Sequence, residues 1–247
     1  MKANGDVTIV THVPHEGPGA IGDYLLARGR RVVGCPVYLG STVPAPGETD
    51  MVVLMGGPMS VNDRDRIPWL EPELAAIARH LDAGTPMLGV CLGAQLLCAS
   101  LGAEVSRSQP EVGWWPVEVL QPRDQTDPWF PVFSDQPART TVFHWHGETA
   151  QLPQSAVLRA TSPACPNQAF TVGHSIAGLQ FHLEMRAPDI GRLAEAASAD
   201  VGRGTYSRTP DGVDPGSFFL RCAGENNGWG RTLLHAILAH LESAAWS

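Results

Sequence analysis

The segment from Thr85 to Val105, TPMLGVCLGAQLLCASLGAEV, constrains the fold of this chain more than any other stretch. Its apolar run from Met87 to Val90 predicts a short buried parallel strand. The residues from Ala94 to Leu101 repeat apolar side chains at helical spacing and stop at a glycine. Cys91 stands between the two elements inside a Gly-x-Cys-x-Gly pattern, which predicts a tight strand-to-helix turn with the cysteine at its corner.

A turn of this kind can make the residue at its corner a nucleophile. The backbone at the corner is strained, and only small residues fit two positions away, where Gly89 and Gly93 stand. The sulfur of Cys91 would lie at a helix N-terminus, which favours the thiolate, and the N–H of Leu92 would face a forming oxyanion. Cys91 is therefore a candidate nucleophile. The alternative is a buried packing cysteine, which is what we expect for Cys98.

Strand-like and helix-like segments alternate along the chain, and this alternation predicts an α/β fold with a mostly parallel central sheet flanked by helices. The predicted strands are Val7 to Val13, Arg31 to Val37, Met51 to Met55 and Met87 to Val90, and the predicted helices are Gly19 to Arg28, Leu70 to Leu81 and Thr232 to Ala245. Short β-like runs separated by Pro and Gly, from Ala103 to Phe181, predict a smaller mixed or antiparallel extension. We expect one domain over residues 1–247, whereas residues 200–230, rich in Gly, Asn and Pro, give no clear prediction.

Composition and charge narrow the classes of partner. The formal net charge is −8 and no cluster of lysine and arginine occurs, so nucleic acid and anionic membranes are not expected partners. The first residues lack a secretory signal and no apolar run is long enough to span a bilayer. Five scattered cysteines form neither a disulfide framework nor a Cys-x-x-Cys site. We therefore expect a cytoplasmic protein without cofactor or metal, acting on a small molecule or with a protein partner.

A glycine pair follows the predicted strand that ends at Met55. Gly56-Gly57-Pro58 is a normal turn signal at a strand end. It would also let the backbone N–H of Gly57 approach a reacting carbonyl, as a second oxyanion donor. The loop lacks the lysine and spacing of a phosphate-binding loop, so a nucleotide site is not expected.

The segment from Gly178 to Met185, GLQFHLEM, carries the remaining chemistry. On a strand, its period of two would put Gln180, His182 and Glu184 on one face. His182 could then take a proton from a cysteine nucleophile and return it to a leaving amine, while Glu184 orients the imidazole. A His-x-Glu pair is common by chance, so this prediction depends on the cysteine corner.

Together these motifs resemble the class I, triad-type glutamine amidotransferases, and especially stand-alone members similar to the glutaminase domain of GMP synthase. The similar segments occur in family order over most of the chain: VLMGGPMSVND, PWLEPEL, GVCLGAQLL with LGAEV, FHWHGETAQLP, CPNQAF and GLQFHLEM. The resemblance implies three groups of functional residues: a triad of Cys91, His182 and Glu184, an oxyanion hole from the backbone of Gly57 and Leu92, and a glutamyl site near Gln95. Leu183 departs from the family pattern, in which proline is frequent at that position.

The resemblance leaves two functions open. The chain could hydrolyse glutamine or a γ-glutamyl amide by itself, through a γ-glutamyl thioester on Cys91. Alternatively, it could be an ammonia-donating subunit that works only with a separate synthase or ligase partner. No synthase domain is attached in this sequence, so hydrolysis is the first expectation.

Two further pairs of polar residues have alternative interpretations. His144 and His146, in HWH, would point the same way on a strand, as metal ligands do, but no third ligand stands at a convincing spacing and no metal site is expected. In the resembling family this neighbourhood borders the active site, which makes His146 a candidate for substrate binding. Asn167 and Gln168 follow a proline and could support the site or form a polar turn.

The tryptophans suggest a property of the substrate. The chain has seven tryptophans against three tyrosines, and four of them lie in or near the β-like region: Trp114, Trp115, Trp129 and Trp145. Two or three of them lining one pocket would suit an apolar or aromatic amine as leaving group. Some members of the resembling family hydrolyse such amides, including γ-glutamylanilide. The alternative is that these side chains belong to the core.

Overall fold

Strands from most of the chain join one sheet. The computed structural model describes the backbone of residues 5–197, 205–206 and 215–246, and the side chains of residues 5–197 and 228–246. Within these ranges the sheet has ten strands. They are β1 (Asp6–Thr11), β2 (Arg31–Pro36), β3 (Met51–Leu54), β4 (Met87–Val90), β5 (Val105–Val119), β6 (Arg139–Ala150), β7 (Ala156–Thr161), β8 (Ala169–Val172), β9 (Ile176–Leu179) and β10 (Thr205–Tyr206).

Helices lie in several of the connections between strands and at the end of the described chain. They are α1 (Gly19–Ala27), α2 (Leu70–Asp82), α3 (Leu92–Ser100), α4 (Phe130–Phe133), α5 (Ala187–Ala196) and α6 (Pro215–Trp246). The closing helix predicted from Thr232 to Ala245 lies within α6. No structure could be predicted for residues 200–230, and within that range residues 200–204 and 207–214 lie outside the described residues. None of the described helices is long and apolar enough to cross a membrane.

The sheet has a parallel part and an antiparallel part. Strands β2, β1, β3, β4 and β9 are adjacent in that order and parallel. Beyond β9, the strands β8, β7 and β5 pair antiparallel, and β6 pairs antiparallel with β5 along a long hairpin. The predicted α/β class with a mixed extension is confirmed, and the extension continues the same sheet.

The core lies on both faces of the parallel part because successive side chains of a strand point to opposite faces. Met51 and Val53 of β3 pack with side chains of α1 and α6, whereas Val52 and Leu54 pack with side chains of α2 and α3. All four residues of β3 and of β4 are buried, which explains their continuous apolar sequences. The connections that follow β1, β3 and β4 leave the sheet at its carboxyl edge, where open α/β proteins bind ligands.

Candidate active site

Cys91 connects β4 to α3 in a backbone conformation that residues other than glycine rarely adopt. Its φ is 52° and its ψ is −108°. No other non-glycine residue in the described part of the chain has a positive φ. The N–H of Cys91 donates a hydrogen bond of 2.7 Å to the carbonyl of Leu179, at the end of β9. This bond ties the corner to the neighbouring strand and holds the strained conformation in place.

The flanking glycines are required by close backbone contacts. A Cβ on Gly89 would lie 2.5 Å from the carbonyl oxygen of Gly93, and a Cβ on Gly93 would lie 2.1 Å from the carbonyl oxygen of Leu54 in β3. Neither approach is possible for a real side chain. The helix can therefore start directly above β3 and β4 only if both positions are glycine.

The thiol of Cys91 lies at the floor of a cleft, and its residue is 6% exposed. The side-chain amide of Gln180 lies 3.7 Å from Sγ, and Sγ lies 3.7 Å from the carbonyl oxygen of Trp145 in β6. Cys98 does not reach the cleft. It is fully buried in the core against α2, and burial raises its pKa to about 12. That thiol stays protonated, as expected for a packing residue.

His182 and Glu184 form a buried pair near the same corner. Nδ1 of His182 lies 2.7 Å from a carboxylate oxygen of Glu184, and both side chains are at most 2% exposed. The predicted strand from Gly178 to Met185 is wrong beyond Leu179, where β9 ends. Instead, the N–H of His182 donates to the carbonyl of Phe143 in an isolated bridge to β6. The pair therefore forms in an irregular segment just past the strand.

Burial alone would lower the pKa of His182, but the Glu184 carboxylate and the adjoining Cys91 thiol raise it well above its usual value. The contact with the thiol lies outside hydrogen-bond geometry, since Nε2 of His182 makes no hydrogen bond among the described residues. An imidazole with one nitrogen on a carboxylate and the other free can exchange a proton with a neighbouring thiol.

The Gly56-Gly57 loop after β3 meets the start of α3. A Cβ on Gly57 would lie 3.1 Å from Cδ2 of Leu92 and 3.0 Å from Cβ of His12. The amides of Gly57 and Leu92 make no backbone hydrogen bond within the described part of the chain. Two free N–H groups, one on this loop and one on the first residue of α3, therefore lie beside Cys91.

His12, at the end of β1, holds this loop. Its Nδ1 donates a 3.0 Å hydrogen bond to the carbonyl of Gly56, and its Nε2 lies 3.0 Å from the carboxylate of Glu73 in α2. Burial opposes a charge on the ring, but Glu73 and the Gly56 carbonyl raise the pKa of His12. His12 was not among the residues predicted from the sequence, although its place after a parallel strand was a usable signal.

The cleft above Cys91 has a volume of about 600 Å³. Gln95, predicted to bind the substrate, lines it and donates through Nε2 to the carbonyl of Glu148 and to Oε1 of Gln180, both at 3.1 Å. Arg107 and Glu148 also line it as register partners on β5 and β6, and Oε2 of Glu148 is buried without a hydrogen bond. This end of the cleft therefore presents one cationic and one anionic side chain beside Gln95.

His146 lines the cleft as well, and the carboxylate behind it, that of Glu111, was not predicted from the sequence. Its Nε2 lies 3.2 Å from Glu111, which is its register partner on β5. Together with His144, these are residues whose ligand atoms lie within 4.8 Å of one another, as a metal would need. However, the Glu111 oxygens already accept hydrogen bonds from Ser162 at 3.0 Å and Gln168 at 2.6 Å. We interpret this group as a hydrogen-bonded support of β6.

Two polar residues near this group have structural contacts. Gln168 joins β8 to Glu111, and Asn167 donates 2.9 Å to the carbonyl of Ala150 in β6. Burial lowers the pKa of His144 to about 3, which keeps that fully buried ring neutral. These side chains therefore stabilise the wall of the cleft without lining it.

The tryptophans do not form one pocket. Trp145 lines the cleft, but Trp129 is fully buried in the core and donates its indole N–H to the carbonyl of Gly173. Trp114 packs with Phe143, Trp115 donates to the carbonyl of Val112, and neither side chain lines the cleft. The expectation of an aromatic pocket from these four side chains is therefore wrong.

The fold and the strained corner define an α/β protein with a cysteine at a nucleophile-type turn, facing a buried His–Glu pair. The chain belongs to the class I glutamine amidotransferase family, whose family model matches residues 21–192. This family acts on the amide of glutamine, by hydrolysis or by transfer.

Individual relatives cover the chain to different extents. It is 28% identical over 228 residues to the glutamine amidotransferase-like protein YfeJ of Salmonella typhimurium, covering 90% of both chains. It is 36% identical over 177 residues to GMP synthase of Aeropyrum pernix, which is 68% of this chain but 32% of that synthase. A crystal structure of a glutamine amidotransferase from Thermotoga maritima superposes with a TM-score of 0.84 at 31% identity, over 99% of this chain and 100% of that one.

Proposed function

We propose that this protein hydrolyses the γ-glutamyl amide bond of glutamine or of a γ-glutamyl amide, with Cys91 as nucleophile. The observation that carries the proposal is the strained Cys91 corner at the floor of the cleft, with the buried His182–Glu184 pair adjoining its thiol. A nucleophile, a base and an orienting carboxylate are the three groups that amide cleavage through an acyl intermediate needs.

The first half of the reaction forms a thioester. Cys91 gives its proton to His182 and its sulfur attacks the γ-carbonyl carbon, so that the carbonyl oxygen becomes an oxyanion. The N–H groups of Gly57 and Leu92 donate to that oxyanion. His182 then protonates the leaving nitrogen, the carbon–nitrogen bond breaks, and ammonia or an amine departs. Glu184 holds the ring orientation and stabilises the imidazolium, in agreement with the raised pKa of His182.

The second half consumes water. His182 takes a proton from a water molecule whose oxygen attacks the thioester carbon, and the same N–H groups stabilise the oxyanion. The carbon–sulfur bond then breaks, the proton returns to the sulfur of Cys91, and glutamate leaves. In this proposal Gln95 and His146, at the Arg107 end of the cleft, help to position the glutamyl part.

The test is glutamate release by the isolated protein from glutamine and from several γ-glutamyl amides. Cys91→Ala should lose turnover by several orders of magnitude while remaining folded. Cys98→Ala, the same replacement in the helix that follows Cys91, should keep turnover because that thiol only packs. Substantial turnover by Cys91→Ala would reject the proposal.

A second function is favoured by the GMP synthase relatives, in which the matching part is 24% of the protein in one case and 32% in another. In that case the chain would supply ammonia to a separate synthase or ligase partner in the cytoplasm. Ammonia release that stays negligible for the isolated protein and rises only when such a partner is added would favour this alternative over free hydrolysis.

A further inference from the structure

Glu16 is a buried carboxylate for which the proposed mechanism has no role. It lies in the loop between β1 and α1, is 7% exposed, and lines the cleft together with Gly57 and Cys91. Its carboxylate makes no hydrogen bond or ion pair with the described part of the chain. Buried carboxylates are normally paired, because leaving one unpaired costs free energy. An unpaired carboxylate that faces a substrate cleft is therefore available to a ligand.

Glu16 lies on the side of the cleft where the leaving nitrogen would be. A Cβ on Gly56 would lie 2.2 Å from Oε2 of Glu16 and 3.4 Å from Cε1 of His182, so the carboxylate and the imidazole flank the same point. In the proposed function His182 gives its proton to the leaving amine. The group bonded to that nitrogen must then pass close to Glu16.

Among the charged groups around Glu16, each histidine is paired with another carboxylate, so the negative charge of Glu16 has no paired cation. His12 is paired with Glu73, and His182 is paired with Glu184, each at hydrogen-bond distance. Both imidazoles therefore have a carboxylate of their own, and Glu16 has none. Burial, with a smaller contribution from Glu184, raises the pKa of Glu16, although the nearby rings of His182 and His12 oppose the shift.

The opposite end of the cleft carries charged side chains of both signs. Arg107 and Glu148 provide one charge of each sign beside Gln95, which suits the ammonium and carboxylate of a glutamyl group. Arg66 and Asp63, which also line the cleft, form an ion pair with each other and largely cancel. The surplus negative charge therefore belongs to the end beyond His182.

We propose that Glu16 selects the leaving group, favouring γ-glutamyl amides whose amine part carries a positive charge near the scissile nitrogen and disfavouring those whose amine part carries a carboxylate. The inference rests on the proposed function and names the substrate class of the same site. A carboxylate placed beside Glu16 meets an unpaired like charge in a poorly solvated site, whereas an ammonium supplies the missing partner.

The experiment compares three amides of similar size: the γ-glutamyl amides of 1,2-diaminoethane, n-propylamine and glycine, which differ mainly in the charge of the amine part. The specificity constant kcat/KM should fall in that order. The first amide should exceed the last by at least about tenfold, equivalent to about 1.4 kcal/mol of transition-state binding.

Variants assign the preference to Glu16. Glu16→Gln should reduce the ratio between the first and last amides to within about threefold while n-propylamide turnover changes little, because only the charge is removed. Glu16→Asp, which keeps the charge, should keep the order. Glu71→Gln is the matched control, since Glu71 is on α2 with a side chain 69% exposed, and it should leave the ratio unchanged.

The outcomes separate this inference from the proposed function. Hydrolysis of all three amides without charge preference, or with the glycine amide preferred, would overturn the role of Glu16 and leave the Cys91 reaction standing. An unchanged ratio in Glu16→Gln would overturn it too. Absence of turnover with every amide, or turnover that survives Cys91→Ala, would overturn both.

Discussion

Replacing the two cysteines of the β4–α3 segment by glycine and by alanine should give stability differences of opposite sign. At Cys91, both replacements remove the thiol, so its packing largely cancels from the comparison. Alanine keeps the strain of φ 52° and ψ −108°, which costs about 1–3 kcal/mol, and glycine relieves it at a cost of roughly 0.5–1 kcal/mol of chain entropy. Cys91→Gly should therefore be more stable than Cys91→Ala by about 1 kcal/mol.

At Cys98, inside α3, φ is helical and glycine has no strain to relieve. Cys98→Gly should be less stable than Cys98→Ala by about 1 kcal/mol, because glycine is the poorer helix former. For a chain of this size each difference corresponds to about 2–4 °C in the midpoint of thermal unfolding, which calorimetry resolves. If Cys91→Gly unfolded at or below the temperature of Cys91→Ala, the corner would not be strained and its interpretation as a nucleophile turn would lose its physical basis.

Two further predictions concern the groups around the thiol. His182→Ala should nearly abolish formation of the acyl intermediate, and Glu184→Gln should impair it less, because geometry partly replaces an orienting group but not a proton acceptor; single-turnover rates test this order, and a more severe defect in Glu184→Gln would reverse the two roles. His12→Leu should lower kcat more than it raises KM, because losing the bond to the Gly56 carbonyl frees the loop that carries the Gly57 amide; steady-state kinetics measure this, and an unchanged kcat would show that the loop is positioned without His12.

The sequence predicted the corner well because the constraint is local. The spacing of Gly89 and Gly93 around Cys91 is dictated by contacts between backbone atoms only a few residues apart or on the adjacent strand. The pair of His182 and Glu184 was also predicted, although the strand expected to carry it ends at Leu179. Two residues of separation bring these side chains together in the irregular segment as well, so the error in secondary structure did not affect the contact.

The rest of the site depends on strand order, which a single sequence does not contain. His12 reaches Glu73 across 61 positions of the chain because β1 lies beside β3, and Glu111 reaches His146 through the register of the β5–β6 hairpin. The tryptophans were misjudged for the same reason, since neighbours in sequence lie on different sides of the sheet. The first half of α6 was not predicted because its Gly and Asn residues have low helix propensity.

The loop between β1 and α1 is structurally separate from the Cys91 corner, so substrate preference can change there without changing the nucleophile. Cys91 is fixed by contacts of Gly93 with β3 and of its own amide with β9, and none of these involves the segment that carries Glu16. Divergence among related proteins could therefore alter which amine is released by changing a few residues after β1, while the machinery that breaks the bond is inherited intact. Sequence comparison within the family would then find the corner invariant and this loop variable, with its charge following the substrate of each lineage.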